Sequence, residues 1–466
     1  MERAHRCHCL MFSFRSLLIG LSLLTTFADA ADKPNIIIIY ADDLGYADLG
    51  CYGNPSIRTP HLDQMAAEGM RFTEFYSAAE VCTPSRAALM TGRYPIRSGM
   101  CSYTKRVLFQ YSPGGLQKEE TTLPETLKKS GYSTACVGKW HLGHLPAYLP
   151  TSHGFDQYFG IPYSNDMDRV KDAPKDAIRS EKSEYFQVPL MRNEQILERG
   201  PDQTQLARRY TEEAVKFIRE KKDGPFFLYF AHNFPHVPLF ASEKFHGKSP
   251  RGLYGDVVEE LDWSVGQVLQ TLRDLGIDKN TMVVFSSDNG PWLIHRDHGG
   301  SAGPLREGKG STWEGGMRVP GIFWWPGKIK PGVCREMACT MDLLPTAASL
   351  AGGEVAVGHE SDGKDIRPLL FGEGELDRGV FIYYRGERLY AARLGHWKLH
   401  FTTQPGYGKE PAAAHSPPLL FDLGADPGES WDIAAAHPDI VAKIEAAVKD
   451  HQATVQVPAN QLERTE

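Results

Sequence analysis

Cys82, Thr83, Pro84, Ser85 and Arg86 open the stretch VCTPSRAALMTGRYP at residues 81–95. Pro84 has the φ favoured in a first helical turn, and RAALMTG carries a helix to Gly92. Cys82 is therefore expected near the positive end of that helix, where a thiolate is stabilised and an anionic substrate attracted. Arg86, one turn on, adds a permanent charge. Spacing alone still favours the plainer alternative, a buried structural cysteine or half of a disulfide.

Further polar groups fall just after apolar runs. Asp42 and Asp43 follow NIIIIY, and Asp288 and Asn289 follow VVFSS. Three carboxylates and an amide carbonyl are hard oxygen ligands, suited to Ca²⁺ or Mg²⁺ rather than zinc. Each pair alone reads as a turn after a strand; both together favour a cation. GKWHLGH places Lys139 and His141 at a third strand end, on alternate residues. PFFLYFAHNFPHVP places His232 and His236 after a fourth. GKGSTWEGGMRVP offers Lys309 in a glycine-rich loop, which lets an ammonium approach an anion closely. Singly, a solvated loop, a structural histidine or a flexible turn explains each. Four strand ends with ionisable groups are harder to dismiss.

The elements that must position these groups alternate. NIIIIY has the continuous β-branched character of a parallel strand covered on both faces. TPHLDQMAAEG is a helix with Thr59 as cap, Pro60 in the first turn and Gly69 at the stop. The helix TLPETLKKSG precedes the strand STACVGKW. QTQLARRYTEEAVKFIREKK leads into PFFLYFAH, and YGDVVEELDWSVGQVLQTLRDLG into TMVVFSSDNG. This is an α/β fold with a large, mainly parallel sheet flanked by helices, and ligands bind outside the carboxyl ends of such strands. The character changes near residue 375. VFIYYRGERLYAARLGHWKLHF reads as short strands with turns at Arg385-Gly386 and Gly395-His396, and HPDIVAKIEAAVKDH as a closing helix. The expected division is a signal peptide at 1–30, a catalytic domain at 31–375 and a smaller α+β domain with an antiparallel sheet at 376–466. Pro-rich patches such as 410–418 read as surface loops.

With 41% hydrophobic and 23% charged residues, the 466-residue chain has the composition of a soluble globular protein with a sizeable core. A net charge of −7 argues against nucleic acid as main partner. Arg3, Arg6 and Arg15, then SLLIGLSLLTTF and Ala28-Asp29-Ala30, read as a secretory signal, with Met11 as an alternative start and an uncleaved anchor as the competing reading. The apolar run is short for a membrane span and no second one follows. The mature protein is expected to be exported, periplasmic or secreted, with no stable membrane span. Six cysteines remain after residue 30, too few for a disulfide scaffold, although Cys334 and Cys339 are close enough to pair. No N-x-S/T acceptor occurs, which fits a bacterial exported protein.

Cys82-Thr83-Pro84-Ser85-Arg86 followed by Thr91-Gly92-Arg93 resembles the C-x-P-S-R…T-G-R signature of type I sulfatases. NIIIIYADDLGYADLGCYG, GKWHLG, SSDNG and GKGSTWEGGMRVPGI resemble that family's blocks, in family order. GIPYSNDM and PPLLFDLGADPGE resemble arylsulfatase A-like and N-acetylgalactosamine-6-sulfatase-like members. The resemblance runs from about residue 33 to about residue 435. It implies an alkaline phosphatase-like fold and oxidation of Cys82 to formylglycine by a formylglycine-generating or equivalent maturation enzyme. It further implies one divalent cation, usually Ca²⁺ with Mg²⁺ as the alternative, bound by Asp42, Asp43, Asp288, Asn289 and the modified Cys82. Arg86 and Lys139 would hold the formylglycine hydrate, with His141 as the base beside it. His236 and Lys309 would contact the sulfate and help the leaving oxygen depart, and Ser164 matches a substrate contact. His236 is preferred to His232 because it directly precedes the Val237-Pro238 step.

The implied reaction is hydrolysis of a sulfate monoester. One hydroxyl of the hydrated aldehyde attacks sulfur and the alcohol leaves. His141 then takes the proton of the second hydroxyl, sulfate departs and the aldehyde returns. The expected substrate is a sulfated small molecule or glycan. The alternatives are a phosphonate or phosphate ester hydrolase of the same superfamily, and an inactive glycan-binding relative. Specificity would lie in loops 102–120 and 165–200 and in the C-terminal domain. There Tyr103, Lys105, Arg106 and Tyr163 are either sugar contacts or ordinary surface residues. Nothing in the sequence indicates the oligomeric state.

Overall fold

The computed structural model describes residues 33–466 except 357 and 409. The signal-peptide reading and Cys7 and Cys9 lie outside the described residues. Strand β1 (Asn35–Ala41) is buried along its whole length. Its side chains alternate between two cores: Ile37 and Ile39 pack on one face of the sheet, Ile36, Ile38 and Tyr40 on the other. The first core is closed by the helices Leu206–Lys221 and Leu253–Asp274, the second by Cys82–Thr91, Leu123–Lys129 and Leu343–Leu350.

The remaining strands of the large sheet are β2 (Met70–Tyr76), β3 (Ser133–Gly138), β4 (Gln157–Gly160), β5 (Pro189–Arg192), β6 (Gln195–Arg199), β7 (Phe226–Ala231), β8 (Thr281–Ser287), β9 (Arg318–Trp324), β10 (Gly332–Cys334) and β11 (Ala338–Cys339). Their order is β10-β2-β9-β8-β1-β7-β3-β4-β5-β6, with β11 also on β2. The central run β8-β1-β7-β3-β4 is parallel, as expected for buried strands joined through helices. Antiparallel pairs flank it: β9 lies between β8 and β2, and β5 and β6 form a hairpin beyond β4.

A second sheet, β12 (Val380–Arg385), β13 (Arg388–Leu394), β14 (Trp397–Thr403) and β15 (Ala413–Asp422), is antiparallel and carries the helix Pro438–Thr454. The 410–418 surface-loop reading is corrected here, because residues 413–418 belong to β15. That strand is at the sheet edge, where prolines need not donate to a neighbour.

Thr59 also departs from expectation. Its hydroxyl accepts from Gly50 N (2.8 Å) and donates to Asp63 (3.0 Å) rather than capping its own helix. The cap comes instead from Asp262 of the Leu253–Asp274 helix, which accepts from the N–H groups of His61 and Leu62 at 3.2 and 2.8 Å. All six described cysteines are free thiols, so Cys334 and Cys339 are not joined. Among the described residues no helix is long and apolar enough to cross a membrane.

Candidate active site

The strand ends singled out in the sequence are neighbours. β8, β1, β7 and β3 run parallel in that order, with Ala41 opposite Ser287, and Ala231 opposite both Tyr40 and Gly138. Their carboxyl ends therefore deliver Asp288 and Asn289, Asp42 and Asp43, His236, and Lys139 and His141 to one edge. Asp43 and His141 both turn through the left-handed region, at φ 65° and 63°. The helix Cys82–Thr91 points its first residue at this edge and ends on Gly92 in the left-handed conformation.

Around Cys82 the groups are in direct contact. The Sγ donates to Asp42 Oδ1 at 3.4 Å. Lys139 Nζ donates to Asp42 Oδ2 (2.5 Å) and to Ser164 Oγ (3.2 Å), and Lys309 Nζ lies 2.8 Å from the Asp43 carboxylate. Arg86 Nε donates to Asp288 Oδ2 at 3.0 Å and Nη1 to the Lys139 carbonyl at 2.9 Å. Arg86 thus clamps the Asp288 carboxylate against the β3 end. Both histidine tautomers follow from carbonyl partners, which only accept. His236 Nδ1 faces the Val237 carbonyl at 2.5 Å, so its Nε2 lone pair is left toward Ser164 Oγ at 3.5 Å. His141 Nε2 faces the Leu108 carbonyl at 2.8 Å, leaving a buried Nδ1 with no partner. His232 is elsewhere: its Nε2 meets Ser264 Oγ at 3.2 Å behind the sheet edge.

Burial and charge set the protonation states. Burial raises the Asp42 carboxyl, but the Lys139, Arg86 and Lys309 charges outweigh it and hold it well below the usual range. Burial and the nearby Asp42 raise Asp43 and bring Asp288 up to about 7. Burial would lower the Lys309 ammonium, but Asp43 holds it well above its ordinary value. Burial, with Lys139 beside one and Lys309 beside the other, pushes His141 and His236 well down, so both are neutral. The helix end does not by itself make Cys82 a thiolate. Burial and the Asp288 and Asp42 charges raise the thiol well above its ordinary value, outweighing Lys139 and Lys309.

The oxygen-rich cluster fits a hard cation. Asn289 donates Nδ2 to Asp43 (2.7 Å), while its Oδ1 is buried with no partner. Ligand atoms of Asp42, Asp43, Cys82 and His236 lie within 4.8 Å of one another. Asp288 is not in that tight group; its Oδ2 is engaged by Arg86 at 2.9 Å. An orphaned amide oxygen beside three carboxylates is a donor set for Ca²⁺ or Mg²⁺.

Above Cys82 is a cavity of about 210 Å³. His141, Ser164, His236 and Lys309 line it, as do Lys105 and Arg106. Tyr103 and Tyr163 do not: the first bonds Gln404 under the Arg388 guanidinium, and the second bonds Asp168. Sequence reasoning missed Asp166, Trp292 and Tyr407 in the lining. Asp166 lies inside GIPYSND and Trp292 just past SSDNG, so both were within reach of the quoted motifs. Tyr407, on the β14–β15 loop, had no local signal.

The sulfatase family profile matches residues 34–353, and that for the C-terminal region of aryl-sulfatase matches residues 376–466. Arylsulfatase A of Homo sapiens is 42% identical over 460 residues, covering 92% of this chain and 89% of that protein. N-acetylgalactosamine-6-sulfatase of Canis lupus familiaris is 42% identical over 466 residues, covering 92% and 87%. Among solved structures, the PsFucS1 sulfatase from Pseudoalteromonas sp. superposes with a TM-score of 0.82 at 29% identity, covering 94% of this chain and 92% of that one. Ps i-CgsB in complex with k-i-k-neocarrahexaose gives 0.76 at 31% identity, covering 91% and 94%. The shared architecture is the alkaline phosphatase-like fold.

Proposed function

The chain belongs to the sulfatase family, and we propose that it hydrolyses sulfate monoesters of carbohydrates through an oxidised Cys82 and one divalent cation. That it is a sulfuric ester hydrolase follows from the family; the substrate class, the cofactors and the residue roles are the proposal. The observation that carries it is the convergence of Lys309, His141 and His236 with Cys82 in the lining of one small cavity, with Lys139 on the Asp42 carboxylate that also accepts from Cys82. The named ligand of Ps i-CgsB, an oligosaccharide, supports a carbohydrate substrate.

A cation held by Asp42, Asp43, Asp288, Asn289 and the modified Cys82 would supply positive charge to a sulfate oxygen, and Ca²⁺ suits the oxygen set best. Oxidation of Cys82 to formylglycine, by a formylglycine-generating or equivalent maturation enzyme, would supply a hydrated aldehyde as nucleophile. Lys139 and Lys309 bracket the sulfate position and offset its charge. Ser164 accepts from Lys139 and lies 3.5 Å from His236 Nε2, so it links the two side chains. Lys309 carries a proton and is the donor to the departing oxygen, whereas neutral His236 accepts. His141 has its Nδ1 lone pair free to take a proton at Cys82. Arg86 acts through Asp288 and the Lys139 carbonyl, as a positioning residue. Net, the ester and water give an alcohol and sulfate. Export to the periplasm or medium completes the reading.

Mass spectrometry of the tryptic peptide 72–86 from natively produced protein tests the nucleophile. An aldehyde mass in place of the thiol is expected. A fully unmodified thiol in protein that still cleaves sulfate esters sinks the mechanism. Rates on the sulfate and phosphate esters of one aryl alcohol test the ester class, and sulfate should be preferred.

A further inference from the structure

Besides His141 Nδ1, the proton acceptor at Cys82, two polar atoms in the lining of the cavity have no partner in the protein. One is Asp166 Oδ1, an acceptor; the other is Trp292 Nε1, a donor. Leaving such atoms unpaired is costly, and a substrate is the natural source of what they lack. Neither belongs to the group of ligand atoms clustered around Cys82. The Lys139 and Lys309 ammonium groups, whose charges act on Asp166, are taken by Asp42 and Asp43. A carboxylate beside a sulfate position repels it, so Asp166 is tolerable only if the rest of the ester brings a hydrogen to it.

The neighbouring surface is aromatic. The Trp292 ring packs 5.3 Å from His236 and 5.1 Å from Tyr407, and Phe109 also lines the cavity. Aromatic faces together with one acceptor and one donor match a sugar ring, which offers C–H faces, hydroxyl hydrogens and hydroxyl oxygens. A bare aryl or alkyl group would leave both atoms unpaired. Tyr407 is held in this wall by Arg106, whose guanidinium lies 5.0 Å over the Tyr407 ring and donates to the Gly406 carbonyl at 3.2 Å.

Building on the reading of this cavity as a sulfatase site, we propose that Asp166 and Trp292 form the subsite for the alcohol half of the substrate, selecting a sugar with a free hydroxyl next to the ester. Asp166 Oδ1 accepts from that hydroxyl and Trp292 Nε1 donates to an oxygen of the same ring.

The test compares wild type with Asp166→Ala, Asp166→Asn and Trp292→Phe on 4-nitrophenyl sulfate and on the monosulfates of galactose and N-acetylgalactosamine. Binding of each sugar sulfate is measured by calorimetry on the same samples. The ratio of kcat/KM for the best sugar sulfate to that for nitrophenyl sulfate should fall about 10- to 100-fold in Asp166→Ala. Asp166→Asn, which keeps the volume, controls for misfolding and should show a smaller fall. The deoxy analogue of that sugar should show the same low ratio with wild type and variant. An unchanged ratio, or a wild type indifferent to the deoxy substitution, overturns the subsite. Hydrolysis of nitrophenyl sulfate with no sugar sulfate bound or cleaved also overturns it, while leaving the hydrolase reading intact. Sugar-sulfate binding that weakens in Asp166→Ala without any turnover supports the subsite and defeats the hydrolase reading.

Discussion

Lys309 Nζ lies 2.8 Å from the Asp43 carboxylate, across a separation of 266 residues. Its loop is tied on three sides. Lys309 N donates to the Pro291 carbonyl beyond β8 (2.9 Å), and Gly310 N donates to the Glu80 carbonyl just before the Cys82 helix (2.8 Å). Gly406 of the C-terminal loop presses against the Lys309 carbonyl so closely that a Cβ there would come within 2.2 Å. The C-terminal sheet is thus part of what aims this ammonium at the cavity.

Lys309→Ala should lower kcat/KM on a sulfate ester by about 10²- to 10³-fold, the range for losing a preorganised charge at a reacting centre. Near-ultraviolet circular dichroism checks that the fold survives. A loss below about threefold would remove Lys309 from the chemistry.

Cys82→Ala should abolish turnover, by at least about 10³-fold, because no neighbouring group replaces the nucleophile. The fold should persist, since the Sγ makes a single 3.4 Å bond to Asp42. Near-full activity in this variant contradicts the assignment.

His232 gives a pH-dependent stability that can be isolated by difference. Burial holds its folded-state pKa at about 3, against 6.5 unfolded. Above pH 6.5 neither state binds the proton and its stability contribution is complete. As pH falls below 6.5 only the unfolded chain takes up the proton, and stability is lost until the folded imidazole titrates. His232→Gln removes this dependence, so the unfolding free energies of wild type and variant should converge by about 2 kcal/mol between pH 7 and pH 5. Urea titrations at the two pH values read it directly; a constant gap refutes it.

Lys398 on β14 is fully buried and donates to the Thr312 carbonyl (2.8 Å) and Glu314 (2.9 Å), with Glu429 also 2.9 Å away. Burial would raise Glu314, but Lys398 and two arginines bring it down to about 2. Lys398→Met leaves two carboxylates without their shared cation and should cost about 3–5 kcal/mol. Adding Glu314→Gln should recover part of that loss. A single variant as stable as wild type in urea would show that the charges are solvated.

Local signals in the sequence were enough for the strand–helix alternation and for the candidate chemistry. NIIIIY suits a strand covered on both faces, and Pro84 with Gly92 delimits a helix by backbone geometry. The β9 insertion left no comparable mark, because its pairing with β2 depends on a strand remote in the chain. The β5–β6 hairpin pairs locally across Asn193-Glu194 but has no clear alternation of apolar residues to announce it. The cap of the Pro60–Glu68 helix belongs to Asp262, about 200 residues on, so no window around Thr59 could contain it.

By itself the sequence determined which side chains stand at strand ends and which residue opens the Cys82 helix, since both follow from periodicity and turn chemistry. Only the tertiary structure decided their protonation and their neighbours. The helix end favours a thiolate at Cys82, yet burial beside Asp42 and Asp288 keeps the thiol protonated. Tyr407 reaches the cavity because the second sheet docks there, not because of anything adjacent to it in the chain. Charge and exposure are properties of three-dimensional surroundings, and strand order β8-β1-β7-β3 is what brings those surroundings together.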